Sequence, residues 1–232
     1  RGWELRIWCF DPRLPLADEF ARAELDVHLI NQDRVIFEDR VNQTLSELRE
    51  FAPAVVVANL GPDAFETLRY LPTGLLRVGI AHSDDPIVYE MHNRYAGSLD
   101  ICVGVSRLIA KQLADLDGIA PDRVRLLEYG VHFPANPRAG DHADPGPLRI
   151  VYLGRLDQEQ KRVRLFPQIL RDLIDSGIAF EWTLAGEGPE QDFLEREMNT
   201  TSANAKVHFA GQVDPRDVPD LLSRHDAFLL AS

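Results

Sequence analysis

Long apolar runs are absent from this chain of 232 residues. No stretch approaches the roughly 18 consecutive apolar residues that a membrane-spanning helix needs, and no signal-peptide pattern opens the chain. We therefore expect no transmembrane segment. Because the chain begins at Arg1 without a methionine, we expect the natural N terminus to lie upstream.

Cysteine occurs only twice, at Cys9 and Cys102, and both residues lie in apolar runs that are typical of strands. Two cysteines are too few for the disulfide framework of a small secreted protein. We expect buried free thiols in a reducing compartment, and hence a cytoplasmic protein. No spacing of Cys and His matches a metal site, so we expect neither a metal ion nor another cofactor.

An excess of basic residues is also lacking, since the net charge is −12. The part up to Pro147 has 15 Lys and Arg against 23 Asp and Glu, and the remainder has 10 against 14. Neither part carries the positive charge that nucleic-acid binding requires. An anionic ligand must therefore be held by local cations and backbone amides, against the overall field.

Apolar runs that predict strands alternate with amphipathic segments that predict helices along the chain. The predicted strands are residues 5–10, 26–31, 54–60, 75–82, 101–106, 123–127, 148–153, 180–185, 206–210 and 227–230. The predicted helices are residues 16–25, 39–51, 62–71, 86–99, 106–116, 160–175, 189–199 and 215–223. This alternation predicts an α/β fold with right-handed βαβ units on open, doubly wound parallel sheets. The β-branched run 54–60 is typical of a strand that is covered on both faces.

Residues 135–147 interrupt the alternation, because they include three prolines, two glycines and no large apolar side chain. We interpret them as a linker between a domain at 1–134 and a domain at 148–232. Ligands in such folds bind at the carboxyl ends of the strands, so we expect a site that faces a cleft between the domains. A complete second domain would have about two more strand–helix units, and we expect it to continue past Ser232.

A candidate phosphate site follows the predicted strand 148–153. A glycine turn at Gly154 leads into a predicted helix, and the free N–H groups at a helix start favour an anion. Arg155 and Lys161 add two cations six residues apart, a pattern that suits a diphosphate. Two solvated cations on a surface loop are the alternative interpretation of the same residues.

Four motifs at predicted strand ends support a family resemblance. They are G-R-L-D-Q-E-Q-K-R-V at 154–163, L-A-G-E-G-P at 184–189, V-H-F-A-G-Q-V at 207–213 and D-A-F-L-L-A-S at 226–232. In this order they resemble the donor-binding half of GT-B glycosyltransferases, specifically the retaining family 4. The resemblance implies two Rossmann-like domains that face a cleft, with the acceptor side in the first and the nucleotide sugar in the second.

The resemblance also implies roles for particular residues. Arg155 and Lys161 would hold the donor diphosphate, and Val213 would contact the nucleobase, although a valine that packs locally is the alternative. His82, at a strand end, would lie near the transferred sugar, where a partly buried polar group is the simpler interpretation. Glu187 would face the donor, or it is a solvated loop carboxylate.

The chain also departs from the family pattern. Asp-Pro-Arg-Leu-Pro at 11–15 stands where the family usually has a glycine-rich loop, and Tyr-Gly-Val-His at 129–132 stands where it often has Asn-Gly-Val-Asp. The glutamates of the E-x7-E segment, which contact sugar and ribose in the family, would lie past Ser232. We expect a protein that ended there to bind its donor weakly and to have little or no catalytic activity.

These features predict a hexosyltransferase-type glycosyltransferase, which moves a sugar from a nucleotide diphosphate sugar to an acceptor with retention and without a metal ion. A GT-B sugar-nucleotide epimerase is one alternative, because it would use the same diphosphate site. A non-catalytic GT-B module that binds only the nucleotide is another. The sequence leaves the sugar, the base, the acceptor and the oligomeric state open.

Overall fold

A computed structural model of the chain describes residues 2–10, 17–30, 36–130, 146–199 and 205–231. The chain divides into two compact units, Arg1–Gly130 and Val131–Ser232. The predicted linker lies outside the described residues except for Gly146 and Pro147, so its bounds and those of the two domains stay predictions. The departures at 11–15 and at His132 also lie outside them. Across the described segments, no helix has the length and hydropathy to cross a membrane.

The first unit alternates strands and helices as the sequence predicts. Its strands are β1 (Arg6–Cys9), β2 (Asp26–Leu29), β3 (Val55–Ala58), β4 (Leu76–Ala81), β5 (Ile101–Gly104) and β6 (Val124–Leu126). Its helices are α1 (Ala17–Arg22), α2 (Phe37–Phe51), α3 (Pro62–Leu68), α4 (Pro86–Arg94) and α5 (Arg107–Ala114). Most of these elements are shorter than predicted. The predicted bounds follow the apolar runs of the sequence, and these runs extend beyond the residues that pair in strands or form helices.

The described strands of the first unit form two parallel sheets. One sheet has the order β1-β2 and the other has the order β3-β4-β5-β6. Strand β3 lies at the edge of its sheet, and the side chain of Val57 is 49% exposed. The expectation that this β-branched run is covered on both faces was therefore wrong at Val57.

The helix starts of the first unit follow local capping chemistry. The Ser106 side chain caps α5 by accepting a hydrogen bond from the Ile109 amide (3.2 Å), as the sequence predicts. Asp85 caps α4 in the same way by accepting from the Ile87 amide (3.0 Å), and Pro86 occupies the first helical position. These caps fix where the chain leaves the strand-end loops, which are the loops that carry candidate functional residues.

The second unit has one parallel sheet in its described part. Its strands are β7 (Leu148–Leu153), β8 (Phe180–Ala185), β9 (Ala205–Gly211) and β10 (Ala227–Phe228), in the order β10-β7-β8-β9. Its helices are α6 (Gln158–Lys161), α7 (Phe166–Asp175), α8 (Gln191–Met198) and α9 (Val218–Ser223). The core of this unit includes the fully buried side chains of Tyr152, Phe166 and Trp182.

The predicted helix 160–175 is broken in the structure. Helix α6 ends at Lys161, Arg162 adopts the left-handed conformation (φ 49°, ψ 35°), and a short 3-10 turn (Val163–Leu165) leads into α7. Val163 and Phe166 are both fully buried after this break. The prediction of a single continuous helix was therefore wrong. The chain buries these apolar side chains by forming two helices, with the left-handed residue Arg162 between them.

The two units have the same Asp–Arg interaction at the amino ends of their sheets. Asp100, which precedes β5, accepts hydrogen bonds from the backbone amide (2.8 Å) and the guanidinium (2.8 and 3.0 Å) of Arg77 on β4. Asp226, which precedes β10, does the same for Arg149 on β7, at 2.9, 2.8 and 3.0 Å. Each bidentate pair ties adjacent strands in register, and the Arg77 guanidinium lowers the pKa of Asp100.

Both cysteines are free thiols, as the sequence predicts, but only one is buried. Cys102 is 1% exposed, and this burial raises the pKa of its thiol to about 11. Cys9 is only half-buried on β1, so its expected burial was wrong. Strand β1 belongs to the small two-stranded sheet, which covers its residues less completely than the four-stranded sheet covers Cys102.

Candidate functional site

The loops that follow β7, β8 and β9 meet at the carboxyl edge of the second sheet. The Gly154 amide donates to the Ala185 carbonyl (3.0 Å), and the Leu156 amide donates to the Glu187 carbonyl (2.9 Å). The Gly186 amide donates to the Gly211 carbonyl (2.7 Å). Because backbone hydrogen bonds join all three loops, parts of the first three motifs form one continuous surface.

Two glycines permit this close approach of the loops. Gly186 has φ +130°, and an added Cβ would lie 2.0 Å from the Gly154 carbonyl oxygen. At Gly188 an added Cβ would lie 2.4 Å from the Leu156 carbonyl oxygen. Gly186 is therefore required both for its positive φ and for close approach, whereas Gly188 is required for close approach alone.

Arg155 lies on the first of these loops, and a side chain of the core fixes its backbone. The hydroxyl of the fully buried Tyr152 donates to the Arg155 carbonyl (2.6 Å), and burial raises the pKa of this phenol. The exposed guanidinium donates through Nη2 to Oε1 of Gln160 (2.7 Å). The loop backbone is thus fixed, while the cationic end of Arg155 keeps most of its hydrogen-bond donors for another partner.

Lys161 is the last residue of α6 and is half-buried. Its ammonium makes no hydrogen bond or ion pair with any residue that the structure describes. A lysine ammonium that no described carboxylate neutralises is a suitable binding group for an anionic ligand. Of the two predicted diphosphate residues, Lys161 is therefore the one whose cationic group no described side chain already contacts.

The start of α6 differs from the predicted anion site. The helix begins at Gln158 and has only four residues, and its N-cap is Asp157, whose Oδ1 accepts from the Gln160 amide (3.0 Å). A carboxylate already occupies the position at which an anion would meet the free N–H groups. The expectation of a long helix with an open N terminus was therefore wrong, and side-chain cations remain as the main attraction for phosphate.

Glu187 and Val213 lie near the loop that follows β9. The exposed Glu187 carboxylate lies 3.9 Å from the position that a Cβ on Gly211 would occupy. Val213 is half-buried and borders a shallow groove against α9, whose other lining residues are Asp217, Asp220, Leu221 and Arg224. Their roles toward a donor stay predictions.

His82 forms a second cluster, at the carboxyl edge of the four-stranded sheet in the first unit. It follows β4, while Asn59 follows β3 and Tyr129 lies beyond β6. The His82 ring contacts Oδ1 of Asn59 through Nε2 (2.6 Å), and its Nδ1 is hydrogen-bonded to the Tyr129 hydroxyl. The His82 and Tyr129 rings are nearly parallel, with an interplanar angle of 15° and centroids 5.9 Å apart.

The electrostatics of this cluster favour an uncharged imidazole. Burial lowers the pKa of His82, and the backbone of Asn59 opposes that shift only in part. We had not selected Asn59 as a site residue, and we had noted Tyr129 only as a departure from the family pattern. Both follow predicted strands at the edge that carries His82, and that signal could have identified them.

The described residues contain no group of three or more His, Cys, Asp and Glu side chains that could hold a metal ion.

The predicted site residues fall into two clusters, one on each unit. Arg155, Lys161, Glu187 and Val213 belong to the second unit, and His82 belongs to the first.

These clusters and the parallel sheets define a class of protein. Two Rossmann-like α/β units with candidate residues at the carboxyl ends of their strands are the arrangement of the GT-B fold. Residues 147–232 match the family model for glycosyl transferases group 1. This part of the chain is therefore similar to that family.

Comparisons with individual proteins agree with this assignment. WcaL of Escherichia coli (strain K12), which is named as a colanic acid biosynthesis glycosyltransferase, is 25% identical over 192 residues, which make up 78% of this chain and 47% of WcaL. The chain thus spans about half the length of this curated relative.

Solved structures extend the similarity of fold to nearly the whole chain. The lipopolysaccharide outer core galactosyltransferase WaaB superposes with a TM-score of 0.66 at 16% identity, over 99% of this chain and 64% of WaaB. TarM of S. aureus, in a complex that contains UDP, superposes with a TM-score of 0.62 at 11% identity, over 82% of this chain and 40% of TarM.

Proposed function

We propose that the protein is a hexosyltransferase-type glycosyltransferase, which moves a sugar from a nucleotide diphosphate sugar to an acceptor with retention of configuration. The observation that carries the proposal is the surface of three joined strand-end loops, which bears Arg155 and leads into α6. The Lys161 ammonium at the end of this helix has no partner among the described residues. This surface lies within the residues that match the family model. We propose a family 4 type of reaction because the motifs resemble that family.

In the proposed reaction, Arg155 and Lys161 bind the donor diphosphate. Negative charge builds on the leaving phosphate as the glycosidic bond breaks, so cations that are aimed at this position lower the barrier. The Arg155 guanidinium has to turn from Gln160 toward the ligand or share its donors with both. Because two side chains supply the positive charge, the proposed step requires no divalent ion.

The other predicted residues complete the proposal for the donor. Val213 would pack against the nucleobase beside the groove along α9, and Glu187 would approach the donor from the loop after β8. His82, in the first unit, would lie near the transferred sugar. UDP is the first nucleotide to test, since the structurally similar TarM was solved with UDP.

We further propose a reducing, cytoplasmic location. The support for it is chemical: both cysteines are free, and the buried Cys102 thiol has a raised pKa and would react slowly.

The diphosphate site is tested by thermal unfolding of the full chain in the presence of UDP, GDP, ADP, TDP or CDP. A nucleotide at about 100 times its Kd should add roughly 2.7 kcal/mol of stability. We expect one nucleotide to stabilise the wild type and to lose this effect in Arg155→Ala and in Lys161→Ala. Arg171→Ala and Lys111→Ala are matched controls, because both residues are exposed on other helices, and they should keep the response. An equal response in all five proteins would contradict the proposed site.

The reaction itself is tested with the corresponding nucleotide sugars and simple hydroxyl acceptors. We expect a glycoside with the donor's anomeric configuration, at a rate that a chelator does not change. An epimerised sugar nucleotide formed without an acceptor would instead identify an epimerase.

A further inference from the structure

The cluster around His82 carries an inference beyond the predicted role of this histidine. Three side chains that follow different strands, Asn59, His82 and Tyr129, form one hydrogen-bonded row within the first unit. Both ring nitrogens of His82 are occupied in this row. A ligand cannot use either nitrogen unless Asn59 or Tyr129 moves away.

The hydrogen bonds define the protonation of the ring. The Asn59 amide oxygen only accepts hydrogen bonds, so His82 must donate to it through Nε2–H, at an Nε2 to Oδ1 distance of 2.6 Å. In the neutral ring Nδ1 then has no proton, and it accepts the hydrogen bond that the Tyr129 hydroxyl donates. The lowered pKa of His82 agrees with a neutral ring at pH 7.

Exposure decides which group of the row meets a ligand. Tyr129 is 62% exposed, whereas His82 is half-buried between its two partners. Because the Tyr129 hydroxyl donates its one proton to His82, its oxygen retains lone pairs that can accept from outside the row. Donation to a neighbouring acceptor also polarises a hydroxyl and makes its oxygen a better acceptor.

We propose that Asn59 and Tyr129 are positioning residues, which hold His82 as the neutral tautomer with its proton on Nε2, and that the Tyr129 oxygen accepts a hydrogen bond from a hydroxyl group of the ligand. The identification of that hydroxyl as part of a sugar substrate rests on the proposed function. The tautomer does not, since it is a property of the unliganded first unit.

The tautomer is tested by proton–nitrogen NMR of the nitrogen-labelled full chain without ligand, with the His82 signals assigned from His82→Gln. We expect a protonated Nε2 and an unprotonated Nδ1. Tyr129→Phe should shift Nδ1 toward the value of a free imine nitrogen and leave Nε2 protonated. Asn59→Ala should remove the single tautomer, so that both nitrogens move to averaged values.

Tyr70→Phe is the matched control, because Tyr70 is also exposed and its hydroxyl donates to Glu66 (3.0 Å) away from this cluster. It should leave the His82 signals unchanged. A ring protonated at Nδ1 in the wild type, or His82 signals that do not respond to Tyr129→Phe, would overturn the proposal.

The ligand contact is tested by steady-state kinetics with the sugar substrates. Loss of one neutral hydrogen bond to the ligand should raise KM about threefold to tenfold in Tyr129→Phe. An unchanged KM would overturn the proposed contact. If the wild type turns over no nucleotide sugar, the proposed function fails, and the NMR result then decides the positioning roles by itself.

Discussion

A methyl group on Gly186 would lie 2.0 Å from the carbonyl oxygen of Gly154, on the loop that follows the neighbouring strand. Gly186 also has φ +130°, a conformation that other residues rarely adopt. The candidate diphosphate loop thus depends on a glycine that is 32 positions away in the sequence, because only a residue without Cβ lets the two backbones approach.

We therefore expect Gly186→Ala to destabilise the protein by about 3 kcal/mol, since it combines backbone strain with a steric clash. Gly177→Ala is the control: Gly177 also has a positive φ (+73°), but no described residue lies within 4 Å of an added Cβ. It should cost only about 1 kcal/mol. Urea unfolding measures both values, and equal costs would show that the loops can separate without penalty.

At Arg162, in contrast to Gly186, we expect a substitution to increase the free energy of unfolding. This arginine has φ 49° between α6 and the following turn, and the left-handed conformation costs a residue with a side chain roughly 1–2 kcal/mol. Glycine avoids this strain but loses more backbone entropy on folding. We expect Arg162→Gly to stabilise the protein by about 0.5–1 kcal/mol in urea unfolding.

The same substitution at Arg171, within α7, should destabilise the protein by about 1 kcal/mol, because glycine is a poor helix former. Destabilisation by both substitutions would mean that the Arg162 side chain contributes more than its backbone strain costs.

His92 should make the stability of the first unit depend on pH. The residue is fully buried, its Nδ1–H donates to the Val88 carbonyl (2.8 Å), and Nε2 has no hydrogen-bond partner in the described part of the chain. Burial lowers the pKa of His92 in the folded state below its ordinary value of 6.5. The unfolded state therefore binds the proton first, so His92 favours folding above pH 6.5, and this contribution falls as the pH drops toward the folded-state pKa.

The measurement is the free energy of unfolding at several pH values for the wild type and His92→Gln. The variant should be less stable at pH 8, and the difference should narrow below pH 6.5. Leu99→Ala, in the same core cluster, is the control, because it removes no titratable group and its cost should stay constant. A constant difference for His92→Gln would contradict the prediction.

Asp157 should oppose the binding of a nucleoside diphosphate. Its carboxylate caps α6. In the sequence, Asp157 lies between Arg155 and Lys161, the two residues that we propose bind the diphosphate. Asparagine caps helices about as well as aspartate, so Asp157→Asn should preserve stability within about 0.5 kcal/mol. Removal of the charge should tighten nucleotide binding about twofold to fivefold, as expected for a charge at a helix end.

Calorimetric titration at two salt concentrations measures this gain, which should shrink at high salt. Glu159→Gln is the control, because it removes a charge from the same short helix without affecting the cap. Weaker nucleotide binding by Asp157→Asn would mean that this carboxylate itself helps to hold the ligand.

Local features of the sequence were sufficient for many elements. The bounds of β7 and β8 agree with the predicted ones, because short apolar runs that are bounded by polar residues pair along their whole length. The Ser106 cap was predicted for a similar reason, since a capping side chain acts within three residues of the helix start. The break at Arg162 was not predictable, because arginine carries no local signal for a left-handed conformation.

By itself, the sequence determined the alternation of strands and helices and the strand ends at which Arg155 and His82 lie. Both follow from local periodicity and from the turn residues that stop each element. Only the tertiary structure decided that Asn59 and Tyr129 contact His82 and that Asp157 caps a helix of four residues. Those contacts depend on the order of strands in the sheet and on the burial of side chains such as Val163, which are set by packing between segments distant in the sequence.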